Sequence, residues 1–313
     1  MNIVSYRFFP DWNSPGFDSN NYFDIFKNSC VIINAVSDYT YYPLHTGTLS
    51  LKYIIRGEEY YITKKGKYRV SCENFLIINE GQYYESKIET VENSESLSLF
   101  FDPVTVCNIS NSLVLPSEYL LDNLNESGNS AGSVNFLEKL YTADKDIITM
   151  FQKIKRSLSG SESSGFYINE LMLQLFDNMI LKRSDVIKEI ERMPFVKSGT
   201  KIEIYKRLSI AKDYILSCFS KKITLSDLAT AACMCEHHLL REFKKLYNIT
   251  PHQFLIRTRL NNAANLLANS DKSISGIASD SGFEYLSTFC ETFSKHYQMS
   301  PSSYRNIKNI NFQ

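Results

Sequence analysis

The last ninety residues of this 313-residue chain contain one pattern twice. Leu228-Ala229 returns 49 positions later as Ile277-Ala278, whereas Phe243 returns 50 positions later as Phe293. One residue has therefore been added between the two sets, in the predicted turn at Gly282-Phe283. An internal repeat of this length indicates two copies of one supersecondary unit.

Each copy predicts two short helices joined by a tight turn. In the first copy, Thr224 and Asp227 have the spacing of a capping box, which satisfies free amides at a helix start. Cys235 stands where a cap should begin the second helix, predicted from Glu236 to Tyr247, and a thiol accepts a capping hydrogen bond poorly. Proline is preorganised for a first helical turn, so Thr250-Pro251 predicts a long helix that ends near Ala268.

In order and spacing, roughly residues 205 to 306 resemble the AraC/XylS-type transcription regulators. The residues that carry the resemblance are Leu228, Ala229, Leu239, Arg241, Phe243, Lys244, Lys245, Thr250, Pro251, Phe254, Arg259, Leu260, Ala263, Leu266 and Leu267, followed by Ile274, Ile277, Ala278, Gly282, Phe283, Phe289, Phe293, Ser300, Pro301, Tyr304 and Arg305. The resemblance implies a DNA-binding domain with two helix-turn-helix motifs joined by a rigid helix. That helix of about 18 residues would span roughly 27 Å, near the roughly 34 Å that separates successive major grooves.

The resemblance also implies which side chains meet double-stranded DNA. They lie on the second helix of each motif: His237, Leu240, Arg241, Lys244 and Lys245 in the first, and Leu286, Ser287, Cys290 and Glu291 in the second. Arg241 can place two donors on guanine, whereas Lys244 and Lys245 are expected near phosphates. The alternative for each basic residue is a solvated helix face. The family usually carries arginine or lysine at Glu291, so we expect the second motif to contribute less affinity.

Charge divides the chain in the same way. Residues 201–313 hold 15 Lys and Arg against 9 Asp and Glu, a net charge of +6, and residues 1–200 hold 19 against 25, a net charge of −6. A basic third beside an acidic remainder fits a DNA-binding module attached to a domain of another kind. We predict a sensor or dimerisation domain at 1–193, a linker at 194–204 and the DNA-binding domain at 205–313.

The first domain is predicted to be an antiparallel β-barrel or jelly roll at about 30–102. Short runs rich in Val, Ile, Tyr and Phe alternate there with turn signals, one of them at Glu92-Asn93. The runs are 30–36, 48–56, 59–63, 67–71, 74–79, 83–89 and 96–101. The stretch 66–82 loosely resembles the cupin-like sensor half of AraC-type proteins, so the expected fold class is α+β. Residues 1–28 predict a surface arm with one strand.

Helices are predicted at 136–156 and 166–193, with flexible loops at 127–133 and 157–165. In the second helix, Leu171, Leu175, Met179 and Ile180 form an apolar stripe at helical spacing. Such a stripe packs on its own barrel or, as family habit suggests, forms a homodimer. The sequence leaves both alternatives open.

A metal-dependent enzyme is disfavoured by composition. Metal-binding cupins converge two or three histidines with a carboxylate, yet His45 is the only histidine before His237. His45 is expected at a loop or pocket rim. The run Cys233 to His238 is too compact to converge on one tetrahedral zinc ion. We therefore predict no enzyme activity, no metal site and no cofactor.

The chain has seven scattered cysteines, which predict a reduced, cytoplasmic protein. The amino terminus has no basic segment followed by an apolar run, and the sequence has no long apolar stretch, so we predict no membrane spans. The favoured function is a sequence-specific transcription regulator, an activator by family habit, with RNA polymerase as a partner. Its first domain would sense a small-molecule effector or form a dimer. The alternative is a DNA-associated adaptor whose barrel is only an interaction or structural module.

Overall fold

A computed structural model describes residues 3–8, 25–112, 134–159, 165–194 and 197–310. The chain divides into two compact units, residues 1–206 and 207–313. The first is rich in β-sheet and the second is helical, so the α+β class is confirmed at that level.

Eight strands of the first unit form one sheet. They are β1 (Ile3–Tyr6), β2 (Cys30–His45), β3 (Ser50–Arg56), β4 (Glu59–Thr63), β5 (Gly66–Val70), β6 (Asn74–Ile78), β7 (Tyr84–Phe100) and β8 (Leu140–Thr142). The order is β1-β2-β7-β3-β6-β8, with β4 paired to β5 and β7. This path does not return to β1, and β1 pairs with β2 in parallel. The predicted closed antiparallel barrel is therefore not confirmed for the described residues.

The longest strands, β2 and β7, pair with each other from Val31↔Phe100 to His45↔Tyr84. The prediction of a turn at Glu92-Asn93 is wrong, because β7 continues through it. Both sides of that point pair with the same partner strand, so the extra residues form a bulge rather than a turn, and the register shifts opposite them. The Thr90 hydroxyl donates to the carbonyl of Glu92 at 2.6 Å inside this bulge.

Helix α1 (Pro103–Ser112) lies between β7 and β8, and α2 (Lys145–Ser159), α3 (Gly165–Glu191) and α4 (Ser198–Cys218) follow β8. The predicted helix at 136–156 begins too early, because β8 occupies its first part and pairs with β6. Asp144 then starts α2 by accepting a hydrogen bond from the Ile147 amide at 3.0 Å. The predicted loop at 127–133, and residues 160–164 of the other, lie outside the described residues.

The apolar stripe of α3 is buried within the first unit. Leu171, Leu175 and Met179 are at most 2% exposed and Ile180 is 8% exposed. These side chains therefore pack on their own unit, which is the first of the two alternatives. Residues 198–204 of the predicted linker are helical, because α4 begins at Ser198.

The second unit contains the end of α4 and six further helices: α5 (Leu225–Ala231), α6 (Glu236–Tyr247), α7 (Pro251–Asn269), α8 (Ile274–Asp280), α9 (Leu286–Tyr297) and α10 (Pro301–Ile310). We call α5 with α6 the first helix pair, and α8 with α9 the second. Helices α5 and α8 are displaced by 49 residues and α6 and α9 by 50, which confirms the repeat. The predicted bounds of α6 are confirmed, and α7 ends one residue beyond the predicted Ala268.

Candidate nucleic-acid interface

Both helix pairs turn through the same hydrogen-bonded motif. Two backbone amides after the first helix return to its last carbonyls, which is the Schellman pattern. The bonds are Cys233 to Thr230 at 3.1 Å and Met234 to Ala229 at 2.9 Å in the first pair, and Gly282 to Ser279 and Phe283 to Ala278, both at 2.9 Å, in the second. The added residue of the second copy follows this motif, before α9 begins at Leu286.

The central residue of each turn has a left-handed backbone. Gly282 has φ +84°, and Cys233 has φ +50° although it carries a side chain. A Cβ atom at Gly282 would lie 2.7 Å from the Phe219 carbonyl oxygen and 2.9 Å from Cα of Ser220. Glycine is therefore required at Gly282 by both backbone and space, whereas Cys233 is exposed and only strained.

Aromatic clusters hold the helix pairs against α7 and α10. In the first pair the rings of Phe243 and Phe254 have centroids 5.8 Å apart, and in the second those of Phe293 and Tyr304 are 5.5 Å apart. Helix α7 adds the buried side chains of Leu260, Ala263 and Leu267 to the second cluster. The linking helix is thus part of the core of this unit.

Arg259 fixes α7 to the end of α4. Its Nε donates to the Phe219 carbonyl at 2.8 Å and its Nη2 to the Lys221 carbonyl at 2.9 Å. Burial lowers the pKa of Arg259 from its ordinary value. The guanidinium thus satisfies two backbone carbonyls of the segment that follows α4.

The predicted DNA-contacting residues of α6 lie on its exposed side. His237, Arg241, Lys244 and Lys245 are exposed, and Leu240 is 37% exposed. Helix α6 therefore presents three cations and one imidazole to solvent on its outer surface. Its start has no side-chain cap at Cys235, whereas Thr250 and Gln253 form a complete capping box at α7.

Glu242 lies beneath this exposed face and was not predicted as a site residue. Its side chain is 1% exposed, and Oε1 accepts from Arg241 Nε at 2.7 Å and Lys245 Nζ at 3.1 Å. His238 Nε2 lies 4.0 Å from the same oxygen. Burial alone would raise the pKa of Glu242, but the hydrogen bonds from Arg241 and Lys245 hold it below its ordinary value. The sequence signal was a carboxylate three residues after Leu239, on the apolar side of the helix.

Helix α9 presents a different surface. Leu286, Ser287 and Glu291 are exposed, but Cys290 is half-buried and packs against the second aromatic cluster. Tyr285, at the cap position, is 62% exposed and forms no side-chain cap. The four predicted residues therefore do not all face outward equally, and the exposed ones carry one negative charge and no positive charge.

The first unit contains a buried charged cluster on the inner face of its sheet. Lys52 is 2% and Glu59 3% exposed, and Lys52 Nζ lies 3.6 Å from the ring centroid of Phe100. Burial lowers the pKa of Lys52 to about 7, partly offset by Glu59, and raises the pKa of Glu59. Ser96 donates to Glu59 at 2.9 Å. Nearby, His45 ends β2, its Nδ1 is 2.7 Å from the Pro43 carbonyl, and burial lowers its pKa to about 4.

A separate cleft of about 500 Å³ opens at one end of the sheet in the same unit. Its lining is mostly polar and includes Lys64, Asn79, Gln82, Glu138 and Lys206. Gln82 holds the loop between β6 and β7, because its Oε1 accepts from the Asn79 amide at 3.1 Å. Asn79 in turn bonds both the amide and the carbonyl of Phe136, at 2.8 and 2.9 Å.

Within the described ranges, no group of three or more His, Cys, Asp or Glu side chains stands close enough to hold a metal ion. No helix in the part of the chain that the structure describes is long and apolar enough to cross a membrane.

The sequence of the second unit matches the family model described as a helix-turn-helix domain over residues 228–307, from α5 into α10. This match includes the end of α5, the whole of α6 and α7, and the second helix pair. The helical unit is an AraC/XylS-type helix-turn-helix domain.

Two relatives of this AraC-type domain are named for the operons that they regulate. The chain is 28% identical over 167 residues to the lactose operon transcription activator of Staphylococcus xylosus, which covers 53% of this chain and 56% of the relative. It is 31% identical over 94 residues to the melibiose operon regulatory protein of Escherichia coli K12, covering 30% and 31%. The chain spans about half the length, or less, of the curated relatives it matches.

Among solved structures, the AraC-type domain resembles the DNA-binding domain of AdpA, described as a global transcriptional factor and solved with a target DNA. The identity is 27%, the TM-score is 0.33, and the match covers 34% of this chain and 95% of that one. Over a longer stretch the chain resembles apo ToxT K231A from Vibrio cholerae, with 14% identity, a TM-score of 0.37 and coverage of 88% and 96%.

Proposed function

We propose that this protein is a sequence-specific DNA-binding transcription regulator. The observation that carries the proposal is the exposed face of α6, where Arg241, Lys244 and Lys245 project from an AraC-type domain. Arginine can place two donors on the major-groove edge of guanine, and lysine near phosphate adds affinity without sequence information. We assign base contact to Arg241 and His237, with Leu240 in apolar contact.

The second helix pair is assigned a weaker role on the same duplex. Helix α7 has 19 residues, roughly 28 Å at the helical rise, so the two pairs suit adjacent major grooves. Leu286, Ser287 and Cys290 would approach bases or sugars. Glu291 is repelled by phosphates but can accept from cytosine N4, so we assign it to exclusion of wrong sites.

A footprint on duplex DNA from the region beside the gene tests this proposal. A regulator protects about two helical turns per monomer, and Arg241→Ala weakens the footprint, while Lys153→Ala on the other unit serves as a matched loss of positive charge. A DNA-associated adaptor is the second candidate, and it protects no defined site. If Arg241→Ala lowers the affinity for specific and for random DNA equally, Arg241 contacts phosphate and not a base.

We further propose that the first unit senses a small polar effector in the cleft beside Lys64 and Lys206. Its polar lining and its volume of about 500 Å³ suit a molecule with several hydroxyl or acidic groups. Lactose and melibiose are suitable probes, because two relatives are named for the lactose and melibiose operons. A binding probe raises the melting temperature of the full chain by mass action, and Lys206→Gln reduces the shift. No shift with any probe would favour a structural or dimerising barrel.

Homodimer formation is assigned to an outer face of α3. Phe166, Leu173 and Leu181 are 78%, 40% and 60% exposed, although their spacing of seven and eight residues places them on one side of the helix. Sedimentation of Leu173→Glu against Gln152→Glu on α2 tests this face, because both add one exposed negative charge and only the first places it in the apolar face of α3. An unchanged monomer content would remove α3 from the interface. Activation through RNA polymerase in the cytoplasm completes the proposal.

A further inference from the structure

The buried carboxylate of Glu242 is the feature of α6 that its DNA-facing residues do not explain. It occupies an apolar position of the helix between Leu239 and Leu246, and only 1% of its side chain is exposed. A buried charge is tolerated only where it is paired and hydrogen-bonded. The partners that satisfy it are the side chains expected at DNA.

The geometry of these contacts leaves the DNA-facing atoms available. Arg241 uses Nε for the carboxylate, at 2.7 Å, and its side chain remains 64% exposed. A guanidinium carries five donors in one rigid plane, so a bond at Nε sets the direction in which both Nη groups point. Lys245 bonds the same oxygen at 3.1 Å and remains 49% exposed.

We propose that Glu242 is a positioning residue that orients Arg241 before DNA arrives, so that base discrimination depends on this carboxylate. This inference rests on the proposed function of α6. An exposed arginine loses rotamer freedom when it binds a base, and a partner that already restricts it removes part of that loss. The hydrogen bonds with Arg241 and Lys245 also neutralise the carboxylate, which limits its repulsion of phosphates.

The second helix pair provides an internal comparison. At the positions 50 residues later, Glu291 stands in place of Arg241 and Thr292 in place of Glu242. The Thr292 hydroxyl donates to the Thr288 carbonyl at 2.6 Å and thus serves its own helix. The buried carboxylate and its arginine are both replaced in α9, so we assign base discrimination mainly to α6.

The test measures binding of the full chain to a duplex that it selects from a randomised library, and to unselected random duplex. The variants are Glu242→Gln, Arg241→Ala, the double variant, and Thr292→Val as the matched control. Glu242→Gln should lower the ratio of selected to random affinity about five- to tenfold, with affinity for random duplex within about twofold of the parent. These expected changes correspond to partial loss of one bidentate contact.

The coupling between Glu242 and Arg241 is the measurement that a merely structural role of Glu242 would not change. The ratio in the double variant should equal that in Arg241→Ala, because Glu242 acts only through Arg241. Thr292→Val should leave the ratio unchanged. Circular dichroism monitors folding, and if Glu242→Gln unfolds α6, Glu242→Asp retains the charge but shortens its reach and should lower the ratio in the same way.

The outcomes distinguish a failure of the positioning role of Glu242 from a failure of the proposed function of α6. If Arg241→Ala lowers the ratio but neither Glu242 variant does, or if the single effects add in the double variant, the positioning role is overturned. If Arg241→Ala leaves the ratio unchanged, or if the chain selects no duplex, the proposed function of α6 fails and the role of Glu242 fails with it.

Discussion

Replacement of Cys233 by glycine should stabilise the AraC-type domain. Cys233 is the left-handed residue of the first turn, at φ +50°, and its exposed side chain contributes little packing. A side chain in this conformation costs about 1–2 kcal/mol, which glycine would relieve. The greater freedom of glycine in the unfolded chain offsets about 0.4–1 kcal/mol of this stabilisation. We expect a net stabilisation of about 0.5–1 kcal/mol.

The expected gain in stability arises at the first turn only, and Gly282 in the second turn provides a matched comparison. Arg207 donates to the Cys233 carbonyl at 2.7 Å, a bond that glycine keeps. Gly282→Ala should destabilise by more than about 1 kcal/mol, because it adds the left-handed cost and places a Cβ 2.7 Å from the Phe219 carbonyl. Cys233→Ala keeps a Cβ in the same conformation and should change stability little.

Calorimetry of the full chain under reducing conditions measures these effects. A gain of 0.5–1 kcal/mol should raise the transition of the helical unit by about 2–6 °C for a domain of this size. Hydrogen exchange in α5 and α6 should slow, while exchange in the sheet stays unchanged. An unchanged or lower transition in Cys233→Gly, or an equal rise in Cys233→Ala, would refute backbone strain at this turn.

Three further predictions concern other features. Cys235→Ser should stabilise α6 by about 0.5–1 kcal/mol by adding the missing cap, measured by the same calorimetry, and Cys107→Ser should not. Glu291→Arg should tighten binding to random DNA more than to the selected duplex and steepen the salt dependence by about one unit; loss of the selected duplex alone would make Glu291 a base-reading residue. Burial lowers the pKa of Lys52 to about 7 from 10.5, so between those values the folded chain binds fewer protons than the unfolded chain and its stability rises with pH. Lys52→Met should abolish this rise in stability between pH 8 and pH 10, measured as urea-dependent hydrogen exchange in β3 and β4. An equal rise in the variant would contradict the prediction.

Local patterns determined most of the helical unit. The capping box at Thr224, the proline at Pro251 and the apolar spacing of α6 predict helix bounds that the structure reproduces. These signals act over three to five residues, within the reach of backbone hydrogen bonds and neighbouring side chains on one helix. The family resemblance of this unit followed from the same short-range features.

The sheet depended on contacts between distant residues, which local patterns do not encode. The turn expected at Glu92-Asn93 is a bulge instead, because β2 pairs with β7 on both sides of it. Strand β8 forms because it pairs with β6. Whether the sheet closes depends on which strands meet, and alternation within a strand carries no such information.

Tertiary structure alone also decided the electrostatics of α6. The sequence by itself determined that Arg241, Lys244 and Lys245 stand on one helix and that its outer face is basic. It did not determine that Glu242 turns inward, because burial depends on the helices that pack against α6. A carboxylate removed from water must bind the nearest cations, and this requirement, rather than the sequence pattern, sets the direction in which Arg241 points.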